Sequence, residues 1–279
     1  RHNMFDGRHL YVATMHQKEK VIAPILNSKL GVTCFVSHEL NTDQFGTFSG
    51  EIARTLSPLN AARAKCDLAH QHTGCDLVLA TEGSFGPHPN LFFIPANEEL
   101  MLLRDYKNNL SIWTSILSTE TNFNSLEISN AKQLADFAKS IGFPSHRVIL
   151  LSTDRTQIRK DFNTLEEANH ALVELTKGNG RCVVETDMRA MNNPTRMNVI
   201  EELTHKLVKK VKAKCPSCNT PGFDVIRVNI GLPCMACKAK TSSTLSLVKG
   251  CLSCNYEELI EYPNNKQEED PMYCNYCNP

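Results

Sequence analysis

Four Cys-x-x-Cys pairs crowd the last 65 residues of this chain: Cys215/Cys218, Cys234/Cys237, Cys251/Cys254 and Cys274/Cys277. A Cys-x-x-Cys turn aims two thiolates at one point. Two such turns complete a tetrahedral site with metal–sulfur bonds of about 2.3 Å. One pair alone would be a weak signal, but four in series are a strong one. The intervals of 15, 13 and 19 residues are each long enough for a β-hairpin. The expected module is therefore a β-rich double zinc ribbon over residues 213–279, with eight cysteines holding two structural zinc ions. The simplest pairing is consecutive, first pair with second and third with fourth. A crossed arrangement, first with third and second with fourth, is the alternative. All eight ligands are sulfur, which leaves no coordination position for water and marks the sites as structural.

Twelve cysteines could also signal disulfides, but the remaining four, Cys34, Cys66, Cys75 and Cys182, are scattered through apolar or helical segments and read as core residues. A reducing, cytoplasmic setting is expected. The sequence contains no run of eighteen apolar residues and opens without the apolar stretch of a signal peptide. Thirty basic residues balance thirty acidic ones, so no overall field draws the chain to nucleic acid or to a membrane surface. From Lys206 onward ten Lys and Arg face seven Asp and Glu, a mild local excess. Lysines 206, 209, 210, 212 and 214 read as a solvated helix face.

Residues 4–212 read as an α/β domain with a mixed sheet. Leu10–Thr14, Val32–Ser37 and Leu77–Ala80 are strand-like. Lys18–Lys29 carries apolar residues at helical spacing and stops at Gly31, and the Ala-rich stretch from Leu59 to Gln71 is a second helix. Strand and helix continue to alternate through Leu100–Arg104, Ala131–Ser140, His146–Leu151, Leu165–Lys177 and Arg181–Thr186. A helix from about Arg196 precedes the cysteines. This order favours an α/β fold.

Three polar segments follow strands, where α/β folds place ligands. The first carries Thr14, His16, Lys18 and Lys20 at a strand-to-helix turn, suited to an anion. The second is Thr81-Glu82-Gly83-Ser84-Phe85-Gly86-Pro87-His88-Pro89. The third runs from Glu185 to Met197 and contains Arg189 and Arg196, suited to phosphate or carboxylate. A glycine-flanked polar loop, Gly46–Glu51, is a fourth candidate. Each has an ordinary alternative: surface lysines, loop histidines, a capping Glu82, structural ion pairs for the arginines.

These motifs resemble a bacterial family known only as a domain of unknown function. It shares Ala-Thr-x-His-x-Lys-Glu at 13–19, Gly-Thr-Phe-Ser-Gly-Glu at 46–51, the 81–89 segment, Ser-Thr-Glu-Thr-Asn-Phe at 118–123, Asp-Met-Arg-Ala at 187–190, Asn-Pro-Thr-Arg-Met at 193–197 and the cysteine pairs. The order of the first ninety residues is also similar to the inosine triphosphatase-like superfamily: Ala13-Thr14 with Lys18-Glu19, then Ala61-Ala62-Arg63-Ala64-Lys65, then Glu82-Gly83. That resemblance implies magnesium-dependent cleavage of a nucleoside triphosphate, or of another phosphorylated small molecule. Glu82 would bind the metal, with Glu51 a second ligand standing in where the helix carries Pro58 instead of the family's acid. Lys18 would serve catalysis. Thr14, His16, Arg63, Ser84, Arg189 and Arg196 would hold substrate. The alternative is a non-catalytic protein whose ribbons bind nucleic acid or protein.

Overall fold

The computed structural model describes residues 3–37 and 57–279. Loop 46–51, with Glu51, lies outside the described residues. The chain divides into two compact units, residues 1–207 and 208–279. No described helix is long and apolar enough to cross a membrane.

In the first unit, β1 (His9–Ala13), β2 (Thr33–Phe35), β3 (Leu77–Pro87), β4 (Pro95–Asp105) and β5 (Leu110–Ser118) form a mixed sheet in the order β2-β1-β3-β4-β5. Strands β2, β1 and β3 run parallel, whereas β3, β4 and β5 form an antiparallel meander. Helix α1 (Glu19–Leu30) connects β1 to β2 and buries Ile22, Leu26 and Leu30. Its left-handed stop is Gly31, at φ 70°. Helix α2 (Pro58–Thr73) starts at Ser57, whose hydroxyl accepts from the Asn60 amide, with Pro58 in the first turn. It buries Ala62, Cys66 and Ala69 against Tyr11, Ala13, Val78, Ala80, Leu100 and Leu102.

A second, antiparallel sheet in the order β6-β9-β7-β8 is built from β6 (Ser125–Ile128), β7 (Val148–Leu151), β8 (Ile158–Arg159) and β9 (Cys182–Thr186). Helices α3 (Ala131–Ile141) and α4 (Leu165–Thr176) cover it around Leu134, Phe137, Val148, Leu150, Leu172 and Val184. Both begin on capping residues. Asn130 accepts from the Gln133 amide, and Thr164 from the Glu167 amide. The Glu167 carboxylate in turn accepts from the Asn163 amide, 2.7 Å away.

Helix α5 (Pro194–Lys212) starts on the Asn-Pro-Thr-Arg motif. The Asn193 side-chain oxygen accepts from the Arg196 amide at 2.9 Å, with proline in the position that has no amide to satisfy. The second unit holds a three-stranded antiparallel meander, β10 (Asp224–Ile230), β11 (Thr244–Gly250) and β12 (Glu257–Glu261).

The sequence reading ended the third strand at Ala80 and did not see β5 or β6 as strands. In the structure β3 and β4 pair over eleven residues, Leu77 with Asp105 through Pro87 with Pro95. Glu82 therefore sits within a hairpin and not at a strand terminus.

Candidate functional site

Alternation along β3 sorts the polar segment into two faces. Val78 and Ala80 pack on α2, so Glu82 points the same way, and it meets Lys65 of α2 at 2.5 Å. Thr81 and Gly83 face the other side. There the Lys18 ammonium donates to Thr81 Oγ1 at 3.0 Å. Gly83 pairs with Glu99, whose carboxylate takes the Arg196 Nε at 2.6 Å.

The Arg196–Glu99 pair is wholly buried, with both side chains at zero exposure. Arg196 also donates to the Met188 carbonyl at 2.6 Å and lies over the Phe85 ring, 5.0 Å from its centre. The pair explains Gly83. A Cβ at this position would come within 2.5 Å of Arg196 Nη2 and 2.6 Å of Glu99 Oε2. The glycine between Glu82 and Ser84 thus makes room for a buried ion pair.

The three sequence segments meet here. Burial, followed by the charges of Lys18, Arg196 and Arg189, pushes the His16 pKa down to about 3, so the ring is neutral at physiological pH. Burial, then the Arg196 charge, pushes the Lys18 ammonium down to about 7, although Glu99 and Glu82 oppose the shift. His16 and Gln17 both have left-handed backbone, at φ 64° and 61°. Two consecutive non-glycine residues in that region store strain of the kind found at functional turns. Thr14 follows directly on the Ala13–Ala80 pair, and its hydroxyl oxygen is buried without a hydrogen-bond partner among the described residues.

Other expected residues are placed differently. Arg189 holds Asp187 with two nitrogens and also reaches Asp161 at 2.6 Å, so two carboxylates already match its charge. Arg63 is exposed, donates to Asn60, and lines a separate cleft with Cys66, Asp67, Arg104 and Ser111. Ser84 is half-buried on the Glu82 face. The sequence reading missed Glu99 and gave Thr81 and Lys65 no individual role. A detectable signal for Glu99 was the polar triplet Asn97-Glu98-Glu99 leading into an apolar strand.

Of the two expected magnesium ligands, Glu82 is described and Glu51 lies outside the described residues. The buried carboxylates at the cluster, Glu82 and Glu99, are each held by a cation. Among the described residues, the groups of three or more His, Cys, Asp or Glu that could hold a metal are the two cysteine groups alone.

Those groups correct the consecutive pairing. Cys215, Cys218, Cys251 and Cys254 form one group, and Cys234, Cys237, Cys274 and Cys277 the other, with the sulfurs of each within 4.8 Å of one another. The meander dictates this. The start of β10, the end of β11 and the start of β12 share one end of the sheet, in register Asp224–Gly250–Glu257. The first and third pairs flank that end, and the second and fourth flank the other. Sulfur–sulfur separations of 3.7 and 3.5 Å in the first group and 3.9 and 3.6 Å in the second match the edge of about 3.8 Å of a tetrahedron with 2.3 Å bonds. The turns repeat as well. Asn219, Lys238 and Asn255, each directly after a second cysteine, are left-handed, at φ 62°, 63° and 58°. Asparagine tolerates that region best among residues with a side chain. Each group can hold one metal ion.

Comparison with known proteins adds a family and no activity. No curated protein matches the chain. Two solved structures share limited similarity. The hypothetical protein CT253 from Chlamydia trachomatis has 15% identity and a TM-score of 0.21, over 40% of this chain and 70% of that one. Lipoprotein GNA1162 from Neisseria meningitidis has 16% identity and a TM-score of 0.22, over 48% and 94%. The family model described as Domain of unknown function (DUF6671) matches residues 65–279, and this span of well over half the sequence makes the chain a member of that family.

Proposed function

We propose that the first unit recognises a phosphorylated small molecule, nucleotides included, at the end of β1, and that the second unit is a scaffold holding two zinc ions. One observation carries the first part. Lys18 is 4% exposed, yet its hydrogen bond goes to a neutral hydroxyl, while the nearby carboxylates are taken by Lys65 and Arg196. A buried ammonium without a counter-charge is costly unless a ligand brings the negative charge. The unpartnered Thr14 hydroxyl and the strained turn beside it supply further groups for an anion.

On this reading, cleavage of a phosphoanhydride would draw on Lys18 and the neighbouring cations to stabilise charge on the departing phosphate. Titration with inorganic pyrophosphate should show saturable binding, weakened tenfold or more, roughly 1.4 kcal/mol per decade, in Lys18→Met. A panel of nucleoside triphosphates assayed for pyrophosphate release then asks whether binding leads to turnover. Wild-type protein that ignores pyrophosphate, phosphate and nucleotides alike would sink the reading.

Zinc is the favoured metal because four thiolates at tetrahedral spacing suit it and leave no open position. Elemental analysis should return about two zinc ions per chain. A folded, metal-free second unit would contradict this.

A further inference from the structure

We infer that the anion enters the β1 site together with a proton, which is captured by Lys18. The inference rests on the proposed anion-binding reading and adds the charge state in which the site is empty.

The geometry supplies the argument. Five buried ionisable side chains gather around Thr81 and Gly83: Lys18, Lys65 and Arg196 against Glu82 and Glu99. Two pairs are closed, Lys65 with Glu82 at 2.5 Å and Arg196 with Glu99 at 2.6 Å. Each is neutral as a unit. The fifth group, Lys18, touches the Thr81 hydroxyl. Among the described residues no further carboxylate pairs with it, so protonating it adds one positive charge beyond the two closed pairs.

The groups facing Lys18 come from every described element around it. They are His16 from its own turn, Lys65 from α2, Thr81 and Glu82 from β3, Glu99 from β4 and Arg196 from the start of α5. His16 is itself neutral, so it neither supplies a counter-charge nor competes as a cation. Burial is the largest force against a charged Lys18, the Arg196 and Lys65 charges of the two pairs repel it, and Glu99 and Glu82 only partly oppose them, which holds the empty-site ammonium near pH 7.

A bound anion reverses that balance. Negative charge beside Nζ favours the ammonium, so the lysine pKa in the complex lies above its value in the empty site. The sign follows from linkage. Above about pH 7 the empty site has lost its proton and the complex keeps it, so binding takes up hydrogen ion and affinity falls as pH rises. Below pH 7 lysine is already charged in both states and affinity levels off. No bond is made or broken. The amine gains one proton from solvent, and the anion gains a charge-assisted hydrogen bond.

The test is calorimetry of pyrophosphate binding at pH 8.5 in two buffers with different ionisation enthalpies. The buffer dependence counts protons taken up. Lys18→Arg provides the reference, because a guanidinium stays charged throughout and pyrophosphate's own titration then cancels in the difference. Wild type is expected to take up close to one proton more than Lys18→Arg, and its affinity to drop by up to tenfold per pH unit above 7 relative to that variant. Should the arginine variant not fold, Lys18→Met serves with the wild-type pH profile: binding weak and free of that slope supports the inference. Pyrophosphate that binds wild type with no excess uptake and a flat profile overturns it while leaving the anion site standing. If pyrophosphate does not bind wild type, the anion-binding reading itself falls.

Discussion

Replacing Cys215 with serine is expected to open Cys218, Cys251 and Cys254 to alkylation while Cys234, Cys237, Cys274 and Cys277 stay protected. The reason is the crossed grouping, in which Cys215 and Cys218 lie with the third pair and not with the second. Native-state treatment with iodoacetamide followed by peptide mapping reads the pattern directly. Labelling of Cys234 and Cys237 in its place would restore the consecutive pairing. The effect should be large, because structural zinc in small domains contributes about 10–16 kcal/mol of binding free energy that is also folding free energy. The second unit has little else to hold it. Phe223, Leu232 and Val248 are buried, whereas Ile226, Val228 and Ile230 along β10 and Leu259 on β12 are exposed. A sheet this small seldom stands on apolar burial alone. Strong chelation should therefore abolish the signals of β10–β12.

The second large effect is expected from Arg196→Met, which should destabilise the first unit by about 3–5 kcal/mol. The substitution leaves the Glu99 carboxylate fully buried without its cation and strands the Met188 carbonyl. Urea denaturation with a probe in the first sheet gives the magnitude. The matching double variant, Arg196→Met with Glu99→Leu, should recover much of the loss, since removing both charges leaves nothing unpaired. A single variant within 1 kcal/mol of wild type, roughly the size of an exposed ion pair, would mean that water reaches the pair and that Gly83 is not needed for it.

The legible parts of this fold were those written in local pattern. Apolar spacing, the Ala-rich stretch of α2 and the stop at Gly31 located the helices, and the structure adds the caps Ser57, Asn130, Thr164 and Asn193, each bonded to its own helix within three residues. Strand β5 escaped the sequence reading although buried Leu110, Ile112 and Thr114 alternate along it, because Ser111, Thr114 and Ser115 dilute its apolar period. What sequence could not give was the far half of β3. Its apolar run stops at Ala80 because Thr81, Glu82 and Gly83 face charges from the turn before α1 and from α2, β4 and α5 in place of a hydrocarbon core. Those partners lie far away in the chain. Glu99 and Arg196 are 97 residues apart, and nothing local in either announces the other. The cysteines show the same division. Four pairs announced eight ligands, whereas their grouping depended on which end of a three-stranded meander each turn occupied.

That grouping makes the two metal positions interlocking clasps. One joins residues 215–218 to 251–254, the other 234–237 to 274–277, so each spans the loop that carries half of its neighbour. A protease cut anywhere between Lys238 and Ser243 would leave two fragments, each owning half of both sites. Both ions would then bridge the break, and β11 would keep its ladders to β10 and β12. A severed backbone would still behave as one body until the metal was withdrawn, at which point the fragments would part.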